Sequence, residues 1–313
     1  MRVAVIDFSK SSLSLLVAEV NENRSIESLF STYTPLQLGE YIKDKKLSQR
    51  GIDKVIECAR KLIDTSAYFK AERLYALSTT LLRKVDNKDK IKKEIKNKIS
   101  LTLINLDERK EALALFSANE KYCILPSSLL ISIGGNSTEL CNLQDKNGEN
   151  MHSLPFGSAM LSREYVKDVY PDKKEEKKIS SLVRKQIKDI PLAFENAVLS
   201  GDNLYSIYKI YADYYQLLPQ SEMMMQMSKL EKLDQVLSDK KKRSPMIIRN
   251  APDRMHMVIP TYIALMEILK KAGVTTMIIS TSGVKEGFLK EIISSGLDAK
   301  YLALKDMKNE GKR

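Results

Sequence analysis

Apolar runs of strand length and of helix length alternate along the chain, separated by short polar breaks, and this pattern predicts an α/β protein. Val3-Ala4-Val5-Ile6-Asp7 is an apolar strand ending on a carboxylate. Phe8-Ser9-Lys10-Ser11-Ser12 is a small polar turn, and Leu13 to Val20 a returning strand. Residues 26–36 read as a third strand. Ile52, Val55, Ile56, Ala59, Leu62 and Ile63 recur at helical spacing within 48–68. A strand at 74–77, a charged helix at 88–98, a strand at 101–104 and a helix at 108–119 complete the first half.

The plan then starts again. Residues 129–139 and 139–143 form hairpin arms, 151–154 a third strand, and 157–169 and 173–190 helices. A strand ends at Val198-Leu199, an amphipathic helix covers 258–271, a strand 275–279 and a last helix 284–293. A polar break with Pro126 sets the expected division at 1–122 and 123–313, with the last helix free to pack back on the first domain. Two halves, each opening on a hairpin, imply a duplicated fold with a cleft between the halves.

Both hairpins carry candidate chemistry. In Ile133-Gly134-Gly135-Asn136-Ser137-Thr138-Glu139-Leu140, two glycines and then hydroxyls follow the apolar run Leu129-Leu130-Ile131, so backbone N–H groups can close on a phosphate. A P-loop would need a lysine and a helix after the glycines, and a dinucleotide fingerprint also opens a helix; here a strand follows.

These stretches, with Ser153-Leu154-Pro155-Phe156-Gly157-Ser158 and Ser282-Gly283-Val284-Lys285-Glu286-Gly287-Phe288-Leu289, resemble the exopolyphosphatase and guanosine-pentaphosphate phosphohydrolase (Ppx/GppA) family in its short two-domain form. The resemblance implies two actin-like (ribonuclease H-like) α/β domains with an interdomain cleft. It also implies release of terminal phosphate from polyphosphate or a guanosine polyphosphate, with Mg2+ as cofactor. Carried over residue by residue, Glu111 is the catalytic base and Glu139 a second catalytic acid. Asp7 and Glu139 are the metal ligands. Ser9, Lys10, Ser11, Ser12, Arg83, Gly134, Gly135, Asn136, Ser137 and Thr138 hold phosphate.

Several positions depart from the family pattern. Ser132 stands where the family has an Asp two residues before the double glycine, which removes a metal-binding charge. Asn136 replaces a third glycine, and the first turn has lost its glycine. The family's phosphate-clamping Arg aligns with Leu82, with Arg83 one step late, and Ser200-Gly201-Asp202-Asn203 replaces a glycine-rich third turn with one that brings a negative charge to any phosphate. The alternative is therefore an impaired member that binds a phosphate-rich ligand or a protein partner. A sugar or acetate kinase-like phosphotransferase is a third, weaker reading.

Composition narrows the choice. No apolar run approaches the roughly 20 residues of a membrane span, and the first strand begins at residue 3, so a soluble cytoplasmic protein is expected. Three cysteines without metal-ligand spacing read as reduced thiols, and two distant histidines argue against zinc or a His nucleophile. The net charge of +11 favours polyanions, although most lysines alternate with acids as on solvated helix faces. The run Lys240-Lys241-Lys242-Arg243 reads as an exposed loop; without interleaved aromatic residues it argues against a nucleic-acid site. Met223 to Met227 reads as packing, and tyrosines from Tyr205 to Tyr215 as one half-wet helix face. Oligomeric state is left open, a homodimer being one form.

Overall fold

A computed structural model describes residues 1–9, 12–36, 38–79, 81–82, 85–145, 151–218, 223–295 and 302–303. The chain divides into two units, Met1–Ala118 with Val284–Arg313, and Asn119–Gly283.

In the first unit, β1 (Arg2–Phe8), β2 (Ser12–Val20) and β3 (Ile26–Pro35) form an antiparallel meander, and β4 (Ile42–Lys43) pairs with β5 (Lys46–Leu47) in a small hairpin. Then come α1 (Gln49–Tyr68), β6 (Arg73–Ser78) parallel to β1, α2 (Lys88–Ile99), β7 (Leu103–Asn105) parallel to β6, and α3 (Glu108–Asn119). Both faces of β1 and β2 are covered, which is why their sequences are apolar nearly throughout instead of alternating. Ala4, Ile6, Phe8, Leu13 and Leu15 share a core with Ile52, Val55 and Ile91 of α1 and α2. Val3, Val5, Leu16, Tyr75 and Leu77 form the opposite core. Ser48 starts α1 by accepting from the Gly51 N–H, satisfying a donor that the first turn leaves open.

The second unit repeats the plan. It contains β8 (Ser128–Ile133), β9 (Thr138–Asn142), β10 (Met151–Leu154), α4 (Ser158–Tyr165), α5 (Lys173–Ile187), β11 (Asn196–Ser200), α6 (Asp202–Tyr214), β12 (Met224–Gln226), α7 (Met227–Ser238), α8 (Lys240–Asn250), α9 (Met255–Ala272) and β13 (Thr276–Ser280). The strand order is β10-β9-β8-β11-β13-β12, with an antiparallel meander at one side and β8, β11 and β13 parallel. The first sheet likewise places its meander beside a parallel strand, in the order β6-β1-β2-β3. Its last members come from the end of the chain: α10 (Val284–Ser295) contributes Phe288 and Leu289 to the first unit's core, and β14 (Leu302–Ala303) pairs with β6.

Two expectations change. Residues 240–243 open α8 instead of lying in a loop, because Asp239 caps the helix by accepting from the Lys241 N–H. Arg243 is buried, its guanidinium 4.7 Å from the Tyr170 ring centre and its Nη1 4.0 Å from Glu176 Oε1. A long stem and a flat cation let Arg leave the solvated pattern that its neighbours keep. The methionine run packs as expected, but as a strand: β12 extends the sheet beside β13, with Met225 fully buried. Tyr208 and Tyr211 of α6 are buried, and Tyr205 and Tyr214 stay exposed, giving the half-wet face that the spacing predicts.

Candidate phosphate turns

The second-unit hairpin is held from behind. Gly134 N–H donates to Ser137 O at 2.9 Å and closes a four-residue turn. The turn's carbonyls face the start of α4, where Ser158 N–H donates to Gly134 O and Met160 N–H to Gly135 O. These first-turn donors would otherwise lack acceptors, so the helix start and the turn satisfy each other. Gly157 is required at this joint, because a Cβ there would lie 2.6 Å from both Asn136 N and Gly134 O. Thr138, fully buried, donates through Oγ1 to Phe156 O at 2.8 Å. Its hydroxyl therefore fastens the turn to Pro155-Phe156-Gly157 instead of facing outward. With the carbonyls engaged, the N–H groups of Gly135, Asn136 and Ser137 have no backbone acceptor among the described residues. All three residues are half-buried. Successive N–H groups without a backbone acceptor are donors of the kind that can meet an anion.

Glu139, also half-buried, stands opposite Ser132 in the β8–β9 register. Ser132 is beside Ser200, and Ser200 beside Ser280, at the carboxyl ends of the parallel strands. Ser200 Oγ donates to Ser282 O at 2.7 Å. Ligands of open α/β sheets bind at these strand ends, and this polar row is built by register, so no local motif announces it. Gly201, at φ +100, leads into α6 with its α-carbon's absent branch only 3.7 Å from Ser132 Oγ. Asp202 does not present a bare charge: Arg254, 7% exposed, donates through Nη2 to Asp202 Oδ2 at 3.1 Å and through Nη1 to Asn203 Oδ1 at 3.2 Å. Asn203 in turn donates to Ile133 O at 2.9 Å, so a buried cation braces the end of β8 through α6. Sequence reading missed Arg254, 51 residues away from Asn203.

In the first unit, Asp7 lies next to the end of β1, and its Oδ1 accepts from Thr79 Oγ1 at 2.9 Å. Across the turn, Ser12 N–H donates to Ser9 Oγ at 3.1 Å, and the two hydroxyl oxygens are 3.0 Å apart. The serines thus brace the turn that has lost its glycine. Lys10, Ser11 and Arg83 lie outside the described residues. Leu82, at the position of the expected clamp, is 4% exposed in the core under α1 and α2. Glu111, half-buried, sits in the first turn of α3, where Asp107 Oδ1 accepts from Lys110 N–H at 2.8 Å. Asp107 therefore caps the helix that carries Glu111, and Glu108 and Glu111 complement its N-terminal dipole. Gly287 of α10 sets how close the helices come: a Cβ there would be 1.7 Å from Ala114 O of α3.

Among the described residues, no three His, Cys, Asp or Glu side chains stand together to hold a metal ion. Mg2+ carried by phosphates needs only one or two carboxylates.

Two units, each with an antiparallel meander running into parallel strands, make a duplicated α/β fold of the actin-like class. The sequence model of the Ppx/GppA phosphatase family matches residues 16–295, and the chain belongs to that family. Exopolyphosphatase 1 of Mycobacterium tuberculosis is 25% identical over 177 residues, covering 56% of this chain and 52% of that protein. The Mycobacterium leprae protein of the same name matches to the same extent, so the chain spans about half the length of these curated relatives. Among solved structures, the Aquifex aeolicus Ppx/GppA family member superposes with a TM-score of 0.77 at 20% identity, covering 96% of this chain and 99% of that one. An exopolyphosphatase from Cytophaga hutchinsonii gives a TM-score of 0.79 at 17% identity over 94% and 98%. At these identities the structures establish the fold. Among the described residues, no helix is long and apolar enough to cross a membrane.

Proposed function

We propose that the chain is a phosphoanhydride hydrolase that releases terminal phosphate from polyphosphate or a guanosine polyphosphate. The observation that carries this reading is the row of N–H groups at Gly135, Asn136 and Ser137, unclaimed within the backbone and backed by α4. The names of the curated relatives agree with it. In this reading the Gly134 to Ser137 turn holds phosphate oxyanions. By resemblance to the family, Glu111 takes the role of base: it accepts the proton of the attacking water as the new P–O bond forms and the bridging P–O bond breaks. Glu139 orients that water or meets a phosphate-borne Mg2+, which when bound offsets charge on the phosphoryl group.

The test is orthophosphate release from long-chain polyphosphate and from guanosine pentaphosphate, with Mg2+ and with a chelator. Glu111→Gln should lower kcat by about 10²–10⁴-fold, as for loss of a general base, with little change in melting temperature. Undiminished release in that variant would remove Glu111 from the base role.

Ser132 and the buried Leu82 favour a second reading, a family member that binds phosphate-rich ligands with little turnover. Restoring the carboxylate by Ser132→Asp discriminates: a gain in Mg2+-dependent release supports impairment, and a parent already as active as the variant refutes it. Leu82→Arg is unsuited to this purpose, since it would drive a charge into an apolar core.

A further inference from the structure

One face of the first unit's sheet is apolar along Val3 and Val5 of β1 and Leu16 and Ala18 of β2. Alternation and register make the same face polar at its end, where Ser14 stands opposite Asp7, with Ser12 two residues before Ser14. A cation reaches this end from the far side of the sequence. Lys285, the second residue of α10, donates from Nζ to Ser14 Oγ at 3.0 Å, 271 residues away. Ser14 is 8% exposed and Lys285 half-buried.

Among the described residues no carboxylate forms an ion pair with Lys285, whose partly desolvated ammonium donates to a neutral hydroxyl. An ammonium has three donors, and withdrawing its charge from water is offset only by an opposite charge or a full set of acceptors. Among the described residues, the hairpin beside it offers an anion no cation of its own. Ser9 and Ser12 are engaged with each other, Leu82 is packed into the core, and Asp7 brings a negative charge. A compact, mobile cation at Ser14 complements that deficit, since lysine binds phosphate as a point charge without demanding bidentate geometry.

We propose that Lys285 is a phosphate-binding cation of the first hairpin, taking an oxyanion of the phosphate chain. This rests on the hairpins being phosphate turns.

Calorimetric titration of the full chain with tripolyphosphate at about 50 and about 300 mM KCl tests it. Lys285→Met should raise Kd about tenfold or more and make the dependence of log K on log salt shallower by about one, the signature of one lost phosphate contact. Lys285→Arg should stay within about threefold of the parent, because it keeps the charge, and Ser14→Ala should keep most of the affinity. A purely structural lysine gives another pattern: Lys285→Met and Ser14→Ala lower the melting temperature alike and leave Kd and the salt slope unchanged, which overturns the proposal. Should Lys285→Met fail to fold, Lys285→Gln keeps a donor to Ser14, drops the charge and gives the same readout. Ser137→Ala in the second unit separates the two levels. If it weakens binding and Lys285→Met does not, Lys285 is excluded and the phosphate reading stands; if the parent binds no tripolyphosphate at low salt, both fall.

Discussion

Adjacent residues of the second turn do different work. Thr138 spends its hydroxyl on Phe156 O inside the core, whereas Ser137 sits half-buried at the tip. Thr138→Val should therefore cost about 1–3 kcal/mol, the penalty of stranding a buried carbonyl, visible as a lower melting temperature. Ser137→Ala should leave melting nearly unchanged and weaken phosphate binding; the reverse ranking would show that the tip hydroxyl is structural. The sequence marks both as one Ser-Thr pair after two glycines. Only the position of Phe156, 18 residues on, separates them. A similar split applies to the thiols. Burial pushes the Cys141 thiol up to about 12, so it stays protonated at neutral pH. Alkylation with iodoacetamide at pH 8 should spare Cys141 in the folded chain and label it after denaturation.

At the scale of elements, two glycines set distances that the strand and helix pattern leaves unspecified. Gly287→Ala would press a methyl group into the Ala114 carbonyl and force α10 away from α3. Overpacking of this kind costs roughly 1–3 kcal/mol. Because α3 carries Glu111, phosphate release should fall in Gly287→Ala even at temperatures where the variant is fully folded. Activity equal to the parent's would show that α3 tolerates the shift. The run around Gly287 is readable as a family segment, yet its reason is a backbone oxygen 173 positions earlier in the chain. The helix at 240–250 shows the converse: a basic run suggests a solvated loop, but a cap at Asp239 and a buried Arg243 make it α8. Charge alternation reports solvent contact only when no aromatic ring or carboxylate elsewhere receives the cation.

For the molecule as a whole, the net charge of +11 should make any polyanion binding weaken with salt. Acid should also destabilise the fold through His256, whose pKa burial lowers. The unfolded imidazole titrates near about 6.5, so between that pH and the lower folded value the unfolded chain binds more protons. Stability must fall as pH drops through this window. Urea midpoints measured from pH 7 to pH 5 should decline, and His256→Gln should flatten the decline; an equal slope in the variant would assign the acid sensitivity to other groups. Alternation, turn chemistry and the repeated hairpin determined, from sequence alone, the α/β class, the duplication and the tight turn after Gly134, because each is a local pattern of period, size and backbone freedom. The tertiary structure decided what is non-local. It joined Arg254 to Asp202 and Asn203, buried Leu82, aligned Ser132, Ser200 and Ser280 by strand register, and brought Lys285 to Ser14. Those relations depend on which face of one element meets which face of another, and a single chain's order of residues does not encode that spacing in any short window.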